Sequence, residues 1–178
     1  LAAELKALGF TAQRQARGEA VSGGVLFSAD VAGLATANRR LRTASRVLAR
    51  VGMPFYARTF EELIARAGKL PWDRFLAPTT PIALRVTCRG SRLYHSDAVA
   101  ERVVLALGER FGVAPTLGAF DEDQGGDAQL IVVRLVDDEC TVSIDSSGPH
   151  LHRRGYRLAT AKAPLRETLA AAMLLGVG

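Results

Sequence analysis

Lysine is scarce in this chain: Lys6, Lys69 and Lys162 are the only three among 23 basic side chains. The remaining positive charge is arginine, a skew that genomic base composition can produce, so arginine abundance alone defines no partner. Cysteine is scarcer still. Cys88 and Cys140 sit in apolar alternating runs with no CxxC or Cys/His spacing. That argues against a disulfide framework or a zinc site and leaves buried free thiols of a cytoplasmic protein as the expectation. No apolar run is long enough to span a bilayer, so no membrane partner is expected. The opening LAAELKALGF carries Glu4 and Lys6, unlike a secretory signal with its basic start and apolar centre. The sequence starts without Met and reads as a processed chain or a fragment.

Catalytic signatures are missing too. There is no G-x-S-x-G elbow and no Cys/His nucleophile signature, so Ser146, Ser147, His150 and His152 do not add up to a hydrolase triad. The pairs Gly23-Gly24 and Gly125-Gly126 do not fit nucleotide-loop spacing and read as turns. His150 and His152 would share a face of an extended segment, but no Cys or carboxylate at ligand spacing joins them. Neither a metal nor a catalytic residue is expected.

What is present suffices for a packed protein. With 178 residues and 48% hydrophobic content, the chain can bury a core as one large or two small domains. Its net charge of +5 suits an anionic partner, and the distribution says more than the sum. Ala37 to Arg50 holds five arginines and no acid, and His150 to Arg157 is equally one-signed. Acids gather at Asp121 to Asp127 and Asp137 to Glu139, which read as surface turns.

Leu1, Leu5 and Leu8 share a helical face ended by Gly9. Phe10 to Ala16 and Gly24 to Phe27 read as strands, and Asp30 caps a helix to about Leu41. Ser45 to Tyr56 alternates as a strand. Thr59 with Glu62 fits a capping box for a helix to Gly68. Ile82 to Cys88 alternates as a half-buried strand. Ser96 or Asp97 caps a helix to Phe111, and Gln129 to Val136 with Cys140 to Ile144 forms a hairpin around Asp137-Asp138-Glu139. Beside Pro71 and Phe75, Trp72 reads as a packing anchor between subdomains rather than a base-stacking platform.

Several runs carry a family likeness in order: AELKALGF, GGVLF, ANRRLRTASRVLAR, LPWDRFL, the core Ile82 to Ser146, and DSSGPHLHRRGYRLATAKAPLRETLAAAMLL. Together they resemble the N-terminal part of bacterial THUMP-domain-containing RNA methyltransferases, 23S rRNA guanine-N2-methyltransferase-like and sometimes named N6-adenine-specific DNA methylases. The likeness implies an α+β fold: residues 1–70 a ferredoxin-like domain without its first strand, 71–147 a THUMP RNA-binding domain, 148–178 a linker and the first helix of a missing Rossmann-like methyltransferase domain. It implies a parent enzyme that uses S-adenosylmethionine. This chain alone lacks the cofactor loop and the N/D-P-P-Y/F-like segment, so it is expected to bind no cofactor and to be inactive by itself. The expected function is positioning an RNA, ribosomal RNA by the resemblance, for guanine N2 methylation. The alternatives are a non-catalytic module docking ribosome or protein, or a THUMP domain serving tRNA thiolation.

Candidate RNA contacts follow from charge and from placement before a helix N-terminus. They are Arg85, Arg89, Arg92, His95 and Ser96 on the first THUMP strand and its loop, and Arg153, Arg154 and Arg157 in the linker. These last three face either RNA or the missing domain. Arg42 and Arg46 are read as braces donating to helix-terminal carbonyls. By the resemblance, Pro164, Leu165 and Glu167 border the cofactor pocket of the parent enzyme. Leu165, Leu169, Ala172 and Met173 share one side of the last helix, a face expected to pack elsewhere or stay disordered without its sheet.

Overall fold

The computed structural model describes residues 1–14, 24–153 and 165–177. Helix α1 (Ala2–Ala7) buries Leu5 and leads to strands β1 (Ala12–Arg14) and β2 (Val25–Phe27), which pair antiparallel as a sheet of their own. Helix α2 (Val31–Arg40) starts at Asp30, whose carboxylate accepts the Gly33 amide at 2.7 Å. That satisfies one amide orphaned at the helix start. These elements close a small core around Leu5, Ala37, Leu41, Ala44 and Val47.

The larger sheet has five strands. Strand β3 (Leu48–Arg50) and strand β4 (Phe55–Tyr56) both pair antiparallel with β7 (Glu139–Asp145), which pairs with β6 (Gln129–Val136), which runs parallel to β5 (Ile82–Arg89). The single strand expected over Ser45 to Tyr56 is thus two. Gly52 between them has φ +80, a left-handed backbone that a ladder cannot continue through. Helix α4 (Ser96–Phe111) forms the crossover from β5 to β6 and stops at Gly112, again left-handed at φ +70. The expected side-chain cap at its start is absent: His95 is the N-cap residue, without a capping bond, and Ser96 is already helical. The β6–β7 hairpin turns on Asp137 and Asp138, both at positive φ, the two-residue geometry a twisted hairpin favours.

Period-two alternation decides the faces. Ile131, Val133 and Leu135 oppose Ile144, Val142 and Cys140, and all six are buried against α4 and helix α3 (Phe60–Gly68). Thr59 caps α3 by accepting the Glu62 amide at 3.2 Å, but Glu62 reaches back to the Arg58 amide rather than to Thr59, so the capping box is half formed. Trp72 is fully buried in this same larger core, its indole donating to the Ala67 carbonyl at 2.8 Å. It is an anchor, as expected, but inside one core rather than between two, and it is not available to stack on a base.

A polar lock secures the small core and joins it to the larger one. Glu4 of α1 accepts the amides of Arg42 and Thr43, at 2.5 and 3.2 Å, and the Thr43 hydroxyl at 2.6 Å. Arg42 donates to the Arg39 carbonyl at the end of α2, as read from the sequence. Arg46 does something else: it donates to Asp145 at 2.5 Å and to the Gly148 carbonyl at 2.6 Å, its side chain 9% exposed and that of Asp145 1%. Ser147 bridges the Val47 amide and the Asn38 side chain at 2.7 and 2.8 Å. The Asp-Ser-Ser-Gly turn therefore fastens the end of β7 to both α2 and the entry of β3.

Helix α5 (Glu167–Val177) is formed, but its apolar side chains stay bare: Leu165 and Leu169 are half exposed and Met173, Leu174 and Val177 more so. The expectation that this face packs elsewhere or disorders is corrected; it forms a helix and remains in solvent. Among the described residues, no helix is long and apolar enough to cross a membrane.

Two outcomes are expected. Asp145→Ala should cost about 3–5 kcal/mol, read as a lowered urea midpoint, because it leaves the Arg46 guanidinium buried without its counter-charge. Cys140, its thiol pushed up to about 12 by burial, and Cys88, two strands away in the register through Leu135 and so roughly 10 Å distant, should form no disulfide. Both should resist alkylation at pH 8 until the chain is unfolded, read by mass spectrometry.

Candidate nucleic-acid interface

The outer face of the large sheet carries the residues that alternate away from the core. On β5 these are Arg85, Thr87 and Arg89; Arg85 lies opposite Val132 and Thr87 opposite Arg134 on β6, and these face Ser143 and Thr141 on β7. Ser143 in turn pairs with Arg50 on β3. The register thus lays two adjoining rows across the sheet, Arg50–Ser143–Val132–Arg85 and Thr141–Arg134–Thr87. Val132, Thr141 and Ser143 on this face are buried. The N-terminal unit leans over part of it and leaves a cleft of about 830 Å³ lined by Arg46, Arg50, Arg85, Arg134, Thr141 and Ser143, among others.

Charge within the cleft is lopsided. Arg85 is paired with Glu122 from the loop after α4. Arg50 and Arg134 have no carboxylate partner among the described residues. Burial, and then the like charges of Arg85 and Arg50, push the Arg134 guanidinium below its ordinary pKa, yet a guanidinium stays protonated at neutral pH. Three cations therefore face one another across a partly desolvated surface. Sequence reading found Arg85 but did not single out Arg134, which sits in the apolar run read as a strand over Gln129 to Val136. It named Arg50 only as part of a basic cluster. The available signal was the parity of Arg134 with Arg85, visible once the strand register is known.

At the far end of β5 the expected loop is present and solvent-facing: Arg89, Arg92, His95 and Ser96 are all exposed, and the Tyr94 and His95 rings lie 4.1 Å apart. The hairpin turn fixes its shape. Asp138 accepts the Arg92 amide at 2.8 Å and pairs with Arg58 at 3.2 Å, while the Asp137 amide donates to the Arg89 carbonyl at 3.0 Å. The acids read as plain surface turns thus organise basic segments instead.

The linker is treated in the same way. Arg153 pairs with Asp123, and His150 lies 3.1 Å from Glu122 and 3.5 Å from Asp123. The hydrogen bond from Arg153, reinforced by His150, holds the Asp123 carboxyl below its usual range. Arg153 therefore holds the linker against the 121–125 loop of its own chain. Arg154, Arg157 and Pro164 lie outside the described residues. Leu165 is exposed and Glu167 half-buried at the start of α5, where Glu167 faces His152 electrostatically. Among the described residues, no group of three or more His, Cys, Asp and Glu side chains is arranged to hold a metal.

The sequence matches two family models in series, the RlmL ferredoxin-like domain over residues 1–48 and the THUMP domain over residues 57–145. It is 36% identical over its whole length to the ribosomal RNA large subunit methyltransferase K/L of Syntrophotalea carbinolica, covering 24% of that protein. A crystal structure from Listeria monocytogenes, described as a predicted N6-adenine-specific DNA methylase, superposes with a TM-score of 0.79 at 34% identity, over 97% of this chain and 43% of that one. A structure assigned as a methyltransferase and complexed with SAH gives 0.76 at 30% identity, over 98% of this chain and 44% of that one. The chain belongs to the THUMP-domain-containing RNA methyltransferase family, matching its N-terminal ferredoxin-like and THUMP portions. It spans about a quarter of the length of the K/L relative and less than half of the structural ones.

Burial lowers the His152 pKa, helped by His150, Arg153 and Arg166 and opposed by Glu167, and its Nδ1 is buried without a partner. The neutral ring is therefore favoured in the folded state. Its contribution is complete above the ordinary histidine range and is lost as pH falls through the depressed folded value. His152→Gln should flatten the fall in urea midpoint between pH 7 and pH 5 relative to the parent; an unchanged profile would show that His152 does not carry it.

Proposed function

We propose that this chain is the RNA-binding portion of an S-adenosylmethionine-dependent ribosomal RNA methyltransferase, and that it positions a structured RNA for base methylation. The observation that carries the proposal is the continuous THUMP match over residues 57–145, in a chain whose relatives are named for ribosomal RNA methylation. Guanine N2 is the target we favour, on the family likeness read from the sequence. The neighbour complexed with SAH supports S-adenosylmethionine as the cofactor of the parent enzyme. This chain supplies none of the bond-making groups. Its part is to hold RNA through phosphates and shape so that register is set before chemistry begins.

The contact surface we assign is the exposed end of β5 with the start of α4: Arg89, Arg92, His95 and Ser96, with Tyr94 beside them. Guanidinium groups fix phosphates, and a bare aromatic ring suits an unstacked base. Arg153 is assigned a bracing role instead, because Asp123 occupies its guanidinium.

The test is a charge reversal, Arg89→Glu with Arg92→Glu, measured by fluorescence anisotropy on a ribosomal RNA hairpin with single-stranded flanks. Affinity should fall at least about tenfold and its salt dependence should become shallower by roughly 1–2 in log–log slope, as two phosphate contacts are lost. A folded double variant with parental affinity and slope would exclude this loop. Insensitivity of the parent to salt would favour a protein-docking module instead.

A further inference from the structure

The cleft between the N-terminal unit and the sheet holds what the exposed loop does not: buried polar atoms without a hydrogen-bond partner. Arg46 Nη2 and Thr141 Oγ1 are both buried without a hydrogen-bond partner, and both residues line this cleft. An unpaired buried polar atom loses its hydration with nothing in return, and more so when charged, so two at one surface are expensive unless a ligand completes them. Beside them stand Arg50 and Arg134, with no carboxylate partner among the described residues, and Phe75, 37% exposed, lines the same cleft. Among the described residues, Asp30 is the single acid on the lining, and its carboxylate is already engaged in capping α2. Basic groups facing one another, hydroxyls between them and an aromatic wall together select a polyanion with flat, apolar parts.

We propose that this cleft is a second RNA site, one that takes the phosphodiester backbone of a single-stranded segment on Arg50, Arg134 and the hydroxyls of Thr141 and Ser143. The inference rests on the RNA-binding reading above and deepens it. Single-stranded rather than helical RNA is indicated by shape. A cleft of about 830 Å³ between a sheet and an overhanging unit admits a strand with one or two bases, whereas a duplex has no such thin edge to insert. Arg85, Thr87 and Arg89 lie at alternate positions of β5 on the same face, so the strand's outer row runs from the cleft toward the exposed loop, a distance of roughly 13 Å. A strand leaving the cleft would thus meet Arg89 and Arg92. Arg46 stays a structural residue in this arrangement.

Like charges at Arg50, Arg85 and Arg134 give the site a signature that a packing role would not share. Arg50→Gln with Arg134→Gln relieves repulsion, so the full chain should melt at the same or a higher temperature while losing RNA. With a 12-nucleotide oligouridine, affinity should fall at least about tenfold and the log–log salt slope should become shallower by about 1.4. A blunt RNA duplex should be much less affected, and Arg50→Lys with Arg134→Lys should keep most of the affinity. In the unmutated chain, photo-crosslinking of 4-thiouridine RNA should label peptides containing Phe75 or Val132 to Arg134. Parental affinity and slope in a folded Gln variant would overturn the site while leaving the loop reading intact, as would crosslinks confined to residues 89–96. Displacement by millimolar inorganic phosphate at the cleft, with RNA affinity unchanged, would identify a small-anion site and also overturn it. Failure of the unmutated chain to bind any RNA would remove the functional reading itself, and this site with it.

Discussion

The ion pair between Arg46 and Asp145 governs the relation between the two cores. Each charge is almost wholly removed from water, which is tolerable only because the carboxylate also accepts the amides of Gly148 and Ser147, at 2.9 and 3.2 Å. Arg46 spends a second donor on the Gly148 carbonyl. Buried pairs of this kind add little net stability but are costly to break, and their geometric demand fixes register. Here it fixes where β3 meets β7, and with it the overhang of the N-terminal unit. The cleft exists because that overhang is held at one place; the Phe120 ring, 5.2 Å from the guanidinium carbon of Arg46, packs the lock from the 112–126 side.

The fold was legible wherever alternation and capping chemistry are local. Asp30, Thr59 and the Ile82–Cys88 alternation placed their elements because each signal depends on neighbours within a few residues. The break at Gly52 was missed because Val47, Ala49 and Val51 keep their parity up to it, and only the left-handed glycine splits the strand. The role of Arg46 was half legible. Its run matched a family pattern, but its partner lies 99 residues away, and no local rule reaches that far. The loop at Arg89 to Ser96 could be read from charge and position. The cleft could not, because Arg50 and Arg134 become neighbours only through the pairing of three strands, β3, β7 and β6.

Net charge also misled in a specific way. The positive excess is real, yet much of the basic surface is answered by acids that the sequence shows as separate clusters: Asp138 beside Arg58, Glu122 beside Arg85 and Asp123 beside Arg153. These exposed pairs contribute little stability each. Their consequence is electrostatic focusing: neutralised rims leave the unanswered cations of the sheet face as the sites where a phosphate gains most.

A parallel strand pair is ordinarily covered on both sides, because its crossover helices and neighbours bury it. β5 and β6 keep only part of that habit: one side is packed under α4, while the other buries Val132 yet also carries Arg85, Thr87, Arg89 and Arg134. Had this face been meant for a second layer of the same domain, apolar residues at these alternate positions would have stabilised it at lower cost than arginines, of which Arg85 and Arg134 repel each other. Its retention in polar form is what a surface requires if its covering layer arrives from outside the chain, carries negative charge and leaves again. That constraint links the folding of residues 48–145 to their use. The core side of each strand is chosen for packing, and the alternate residues on those same strands are the ones the proposed RNA site uses.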